Sequence, residues 1–166
     1  MIKSNYFTSN SDMLLHFEKF IPWNEIVPVY ENNFKDATKY NETGNELLAT
    51  APNNVEEAIE YYRTILDAAG DVTGNFVSER VKAMDLNGAH FENGKVTHPK
   101  EMIESVNKAK EAGIQAYGFQ RKFGGLGLPF TVRALMGEIM YRVDTSFAIA
   151  FGCVNLGEIL ERIASK

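Results

Sequence analysis

The sequence predicts an all-α fold, a small up-and-down helical bundle with an aromatic-rich strap at its amino end. Three observations predict it. Apolar residues recur with a 3.6-residue period at Val55, Ala58, Ile59, Tyr62, Ile65, Leu66, Ala69, Val72 and Phe76. The same period returns at Met102, Ile103, Val106 and Ala109, and again at Val132, Leu135, Met136, Ile139 and Val143. No stretch of useful length alternates apolar and polar residues as a half-buried strand does.

The elements follow in order. Residues 1–33 hold Tyr6, Phe7, Phe17, Phe20, Trp23 and Tyr30, which read as a strap across a larger body with its rings turned inward. Ser11 or Asp12 is expected to cap a short helix carrying Leu14, Leu15 and Phe17. Asn24 is expected to cap a second, Glu25 to Glu31, with Pro28 in its first turn, where a missing N–H costs nothing. Residues 34–53, including Asn41-Glu42-Thr43-Gly44-Asn45, show no period and read as loop. The chain thus divides into an extension and loop over 1–53 and a helical domain over 54–166.

The longest helix opens at Asn54, and Glu57 three residues on completes a capping-box pattern. It is expected to end near Asp85 to Gly88. Gly70 and Gly74 each cost about 1 kcal/mol relative to alanine inside a helix, so a neighbouring helix is expected to approach closely there. Asn93-Gly94 suits the turn of a tiny hairpin, Phe91 to Val96. His98-Pro99 begins the next helix with proline at the first helical position, and Gly113 stands at its C′ position. After Gly124-Gly125-Leu126-Gly127, a helix spans Phe130 to Val143. Asp144 caps the last one, Thr145 to about Ala164, which carries Phe147, Ile149, Phe151, Val154, Leu156, Ile159 and Leu160.

At 166 residues the chain is about one domain, and 45 % apolar residues suffice for a core. Net charge is −5 and no run of lysine or arginine makes a basic stripe, so nucleic-acid binding has no electrostatic footprint. Cys153 is the single cysteine, which excludes a disulfide or a thiolate metal site within one chain. The amino end lacks the apolar core of a secretory signal. Asn155 and Glu158 interrupt the most apolar stretch, 147–160, so no membrane span is expected and the default compartment is cytoplasmic. His16, His90 and His98 show no metal-ligand spacing, and no GxSxG, HExxH or Walker lysine occurs. Glu56, Glu57, Glu60, Glu101 and Glu104 fall on polar helix faces. No strand precedes Gly124, Gly125 and Gly127, which read as a structural turn rather than a phosphate cradle. The residues alone therefore give a helical domain with no catalytic residue and no metal site.

Three segments carry a family resemblance. The long helix ending before a hairpin is similar to the first long helix of acyl-CoA dehydrogenases. Lys122-Phe123-Gly124-Gly125-Leu126-Gly127-Leu128 resembles that family's YGGLG(L/M) turn, and Glu138-Ile139-Met140-Tyr141-Arg142-Val143-Asp144-Thr145-Ser146 is similar to its EE(L/I)ARVDAS segment. The strap, Phe17 to Val27, resembles an extension found in a bacterial branch. One departure is Gln120-Arg121-Lys122, where many relatives have acidic residues.

The resemblance implies the amino-terminal domain of a flavoprotein oxidoreductase of fatty acid metabolism that converts an acyl-CoA thioester to the enoyl-CoA. It implies FAD and a glutamate base, both held by a β-domain and a carboxy-terminal helical domain that follow, so FAD is not expected on this chain alone. It also implies an electron-transfer flavoprotein partner and a homo-oligomer. Family positions that wall the acyl pocket match Phe147, Ala148, Phe151, Gly152 and Asn155. Small residues at 148 and 152 lie one turn apart and leave either a groove or a site of close helix packing. The alternative is a stand-alone or truncated non-catalytic helical module acting in binding or assembly.

Overall fold

The structure, a computed structural model, describes residues 4–152 together with 159, 160 and 163. Among these, all regular structure is helical except one hairpin, so the fold is all-α. Helix α4 (Val55–Asp71) is its axis. Asn54 caps it, its Oδ1 accepting the Glu57 N–H at 2.8 Å. The Glu57 carboxylate accepts the Asn53 backbone and side-chain N–H groups, which holds its carboxyl below the usual range.

The expected single long helix is broken in the structure. A π-helical turn, Val72–Val77, follows α4, and α5 (Val81–Asn87) resumes beyond it. Within the turn the Thr73 and Ser78 hydroxyls donate back to the Ala69 and Gly74 carbonyls at 2.7 Å, a side-chain competition that bends helices. The element that approaches Gly70 and Gly74 is not a helix, as expected, but the chain's own amino-terminal segment. A Cβ at Gly70 would meet Asn5 and the Phe7 backbone, and one at Gly74 would fall on the Ser4 carbonyl. The Tyr6 N–H donates to the Gly70 carbonyl at 3.0 Å, closing this contact.

The strap contains α1 (Ser11–Leu15), a π-helical turn (His16–Phe20) and α2 (Trp23–Tyr30). The cap of α1 is Asn10, not Ser11 or Asp12: its Oδ1 accepts the N–H groups of both Asp12 and Met13. Nor does Asn24 cap α2. The Trp23 indole donates to the Phe17 carbonyl at 2.7 Å, which draws Trp23 into the first turn and leaves Pro28 inside the helix. Phe7, Phe17, Trp23 and the Tyr62 ring of α4 form a chain of contacts with centroids 4.9–5.9 Å apart. Phe20, expected inward, is exposed because it ends the π-helical turn on the solvent side.

Residues 34–53 are not all loop. They hold α3 (Lys35–Thr43) and a 3₁₀ turn (Glu46–Leu48). Helix α3 is polar nearly all round and buries only Ala37, so it has no apolar period to read. Its start is set by Asn32, Asn33 and Phe34, all left-handed with φ of 48, 53 and 62°.

Strands β1 (His90–Glu92) and β2 (Lys95–Thr97) pair antiparallel with Glu92 opposite Lys95. Helix α6 (Lys100–Glu111) begins one residue after Pro99, which is its cap rather than its first residue. Ile103 is exposed, contrary to the expected stripe, because α6 buries Met102, Ser105 and Ala109 instead. Helices α7 (Phe130–Val143) and α8 (Thr145–Gly152) meet at Asp144, whose Oδ1 accepts the Phe147 N–H at 2.7 Å. Helix α4 packs on α2 and α7, α7 on α8, and α6 on α5 and α8.

One charged pair lies inside this packing. Arg121 and Glu31 are 3 % and 5 % exposed. The guanidinium donates to both carboxylate oxygens, at 2.6 and 3.0 Å, and the Tyr62 hydroxyl donates to the same carboxylate at 2.5 Å. Burial works against the charge on Arg121, but the hydrogen bonds and charge of Glu31 outweigh it and raise its pKa. Burial and the neighbouring carboxylate push the Tyr62 phenol far above its ordinary range, so it stays protonated and donating.

Two outcomes check this frame. Gly74→Ala, despite its better helix propensity, is expected to cost about 1–3 kcal/mol net by overpacking, which is roughly 2–4 °C of Tm per kcal/mol at this size. A raised Tm would show that the amino-terminal segment does not sit there. Arg121→Met leaves Glu31 buried without its partner and is expected to cost about 3–5 kcal/mol in urea unfolding, against less than about 0.5 kcal/mol for exposed Lys122→Met. Equal losses would contradict the buried pair.

Candidate functional site

Helices α7 and α8 leave a cleft of about 280 Å³ between them, lined by Tyr117, Gly137, Met140, Tyr141, Ala148, Ile149 and Gly152. The helical repeat explains it. Gly137 and Tyr141 lie one turn apart on α7, and Ala148 and Gly152 one turn apart on α8. A Cβ at Gly137 would meet nothing within 4 Å, and one at Gly152 would meet only the Tyr117 hydroxyl, at 3.7 Å. The glycine on each helix is therefore open space and not a packing contact.

Of the five positions of interest, Phe147, Ala148, Phe151, Gly152 and Asn155, not all are placed on this cleft. Ala148 and Gly152 line it. Phe147 and Phe151 are fully buried on the core side, their rings stacked with centroids 5.7 Å apart. They back the wall without lining it. Asn155 lies outside the described residues, as does Cys153. Ile149, expected in the core, is 53 % exposed because it stands on the edge between two clefts. The second cleft, about 590 Å³, lies on the other side of α8 against Met84, His98, Met102, Ser146 and Ala150.

The glycine turn is hydrogen-bonded to the segment that carries Tyr117 of the first cleft. Its amides are consumed internally. Gly124 donates to Arg121, Gly125 to Gln120, Leu126 to Ala116, Gly127 to Phe119 and Leu128 to Tyr117, at 2.8–3.3 Å. Two tyrosines from elsewhere hold the same loop from outside, the Tyr61 hydroxyl donating to the Leu126 carbonyl at 2.8 Å and Tyr30 to Leu128 at 2.9 Å. Burial raises the Tyr61 phenol as well. Gly127, at φ +59°, leaves room for the Arg121 side chain, which a Cβ would meet at 3.0 Å.

Chemically the cleft can bury an alkyl chain, at about 25 cal/mol per Å² of apolar surface, and presents phenols and a thioether but no acid–base pair or nucleophile. No group of histidine, cysteine, aspartate or glutamate among the described residues could hold a metal ion. A flavin finds no fit here either. The glycine turn has no free amide for a pyrophosphate, and the cleft lining holds no cation.

Tyr117, Gly137, Met140 and Tyr141 escape a reading by sequence alone. One signal was available: Gly137 sits inside a helix at a cost of about 1 kcal/mol, with no turn or cap to require it. Tyr117 lies in an irregular stretch with no period at all.

Comparison with known proteins identifies the family. The family model of the acyl-CoA dehydrogenase N-terminal domain matches residues 60–166. A relative, 3-methylmercaptopropionyl-CoA dehydrogenase of Ruegeria pomeroyi, is 33 % identical over 101 residues. That alignment takes in 56 % of this chain but only 17 % of the relative, so the chain spans a small part of that protein's length. No solved structure matches the chain significantly. Because the match at 60–166 takes in most of the chain, this protein belongs to the acyl-CoA dehydrogenase family through the N-terminal helical domain.

Proposed function

We propose that this chain is the first part of a longer acyl-CoA dehydrogenase-like flavoprotein and that its α7–α8 cleft walls the acyl-chain pocket. The observation that carries the proposal is the open groove at Ala148 and Gly152, faced by an equally open Gly137. Residues 1–53 serve as an extension strapped over the domain formed by 54–166. FAD, which accepts the hydride in α,β-dehydrogenation, and the glutamate base belong to later domains. The role of this chain is to bind and orient the acyl chain and to keep water from its apolar surface. An electron-transfer flavoprotein, a homo-oligomer and a cytoplasmic setting complete the reading.

The substrate class is a short acyl-CoA. The cleft is small, and the relative from Ruegeria pomeroyi is named for a short thioether acyl group. Soft sulfur suits the Tyr117 and Tyr141 rings and the Met140 side chain, since thioethers pack well against aromatic edges. A second reading, a stand-alone module in binding or assembly, is favoured by exposed Phe130, Ile149, Leu160 and Ile163. The coding sequence beyond Lys166 separates the two: an in-frame flavin domain supports the first.

Gly152→Leu in the full-length enzyme is expected to displace about two methylenes of substrate, lowering kcat/KM for the longest accepted acyl-CoA about tenfold. An unchanged chain-length profile would sink the wall assignment. The purified 166-residue chain is expected to carry no FAD. Stoichiometric FAD, bleached on adding an acyl-CoA, would instead make the chain itself a dehydrogenase.

A further inference from the structure

Tyr117 is 8 % exposed and belongs to no helix, yet its ring is stacked and its backbone is held. It stacks on Phe151, with centroids 6.3 Å apart and planes 15° from parallel, and Phe151 stacks in turn on Phe147. The residue before it, Ala116, is left-handed at φ 59°, a conformation that a non-glycine residue holds only when its surroundings impose it. They do so here. The Ala116 carbonyl accepts the N–H groups of Phe119 and Leu126 at 3.1 and 3.2 Å, and the Tyr117 carbonyl accepts that of Leu128 at 3.3 Å. The glycine turn thus locks the backbone on which Tyr117 stands. The side chain projects to Gly152, its hydroxyl 3.7 Å from where a Cβ would be.

The other large side chains of the cleft are poor barriers. Tyr141 is 56 % exposed and stands at the mouth. Met140 is buried but flexible, and methionine yields readily to a change of neighbour. A stacked, two-torsion aromatic ring does not yield. Resting on the acyl-wall reading, we propose that Tyr117 is a specificity-determining residue that ends the acyl site, its ring setting the longest chain the cleft admits.

The test is the kcat/KM of the full-length enzyme for butanoyl-, hexanoyl-, octanoyl- and decanoyl-CoA. Tyr117→Ala is expected to favour chains two carbons longer, by about tenfold relative to the unaltered enzyme. Tyr117→Trp is expected to move the optimum the other way, and it carries the test if the alanine variant does not fold. Tyr117→Phe keeps the ring and is expected to keep the profile. Ala150→Leu, in the cleft on the far side of α8, is expected to change nothing. If Gly152→Leu shifts the profile while Tyr117→Ala and Tyr117→Trp do not, the wall stands and Tyr117 is not its end. If Tyr117→Phe shifts it as far as Tyr117→Ala, the hydroxyl and not the ring discriminates, and the inference fails. If neither Gly152 nor Tyr117 variants shift it, the acyl-wall reading falls and takes this inference with it.

Discussion

Glu31 and Arg121 stand 90 residues apart in sequence and meet as a bidentate pair inside the protein. Their union joins the end of α2 to the 3₁₀ turn Arg121–Phe123 that opens the glycine loop. Such a pair adds little net stability over an apolar contact of the same volume, because both charges lose their water. What it contributes is register. Any other seating of the strap leaves one buried charge unpaired, and that costs several kcal/mol. Tyr62 extends the constraint to α4, and Tyr61 and Tyr30 hold the two loop carbonyls that follow. Strap, central helix and glycine loop are therefore one unit, not a domain with an ornament.

That unit places the cleft. The loop fixed by Arg121 returns the Leu126 and Leu128 amides to Ala116 and Tyr117, so the pair acts through two hydrogen bonds on the backbone that carries the residue facing Gly152. The two helices supply the open space, through Gly137, Ala148 and Gly152, and the lining side chains Met140, Tyr141 and Ile149. The arrangement separates two tasks. Polar groups, paired among themselves apart from the Arg121 Nε, set positions, while the groove beside them is free of acid–base chemistry. In the proposed reading such a domain binds and orients, and the chemistry belongs to later domains.

Much of the fold was legible because periodic burial writes itself into a sequence. The bounds of α7, the Asn54 and Asp144 caps and the Asn93-Gly94 hairpin depend on local residues and are read locally. Helix α3 was not legible, since a helix that buries one alanine leaves no stripe. The single long helix was misread at 72–77, where the period persists but two hydroxyls bend the backbone. The site was half legible. Ala148 and Gly152 show as small residues a turn apart, but the inward turn of Phe147 and Phe151 depends on which neighbours pack behind them. Arg121 read as a departure from a family pattern, and its partner at position 31 carried no sign of being buried. Long-range pairs of this kind have no period and no spacing, so only the folded chain reveals them.

The central claim is that an acyl chain ends in the α7–α8 cleft against Tyr117. A short acyl-CoA with a diazirine at its far end, photolysed on the full-length enzyme and mapped by peptide mass spectrometry, tests it most directly. The account predicts adducts on Tyr117 or Met140, lost when unlabelled substrate competes. Competable adducts confined to Met84, Met102 or Ala150 would place the chain in the larger cleft across α8 and contradict it.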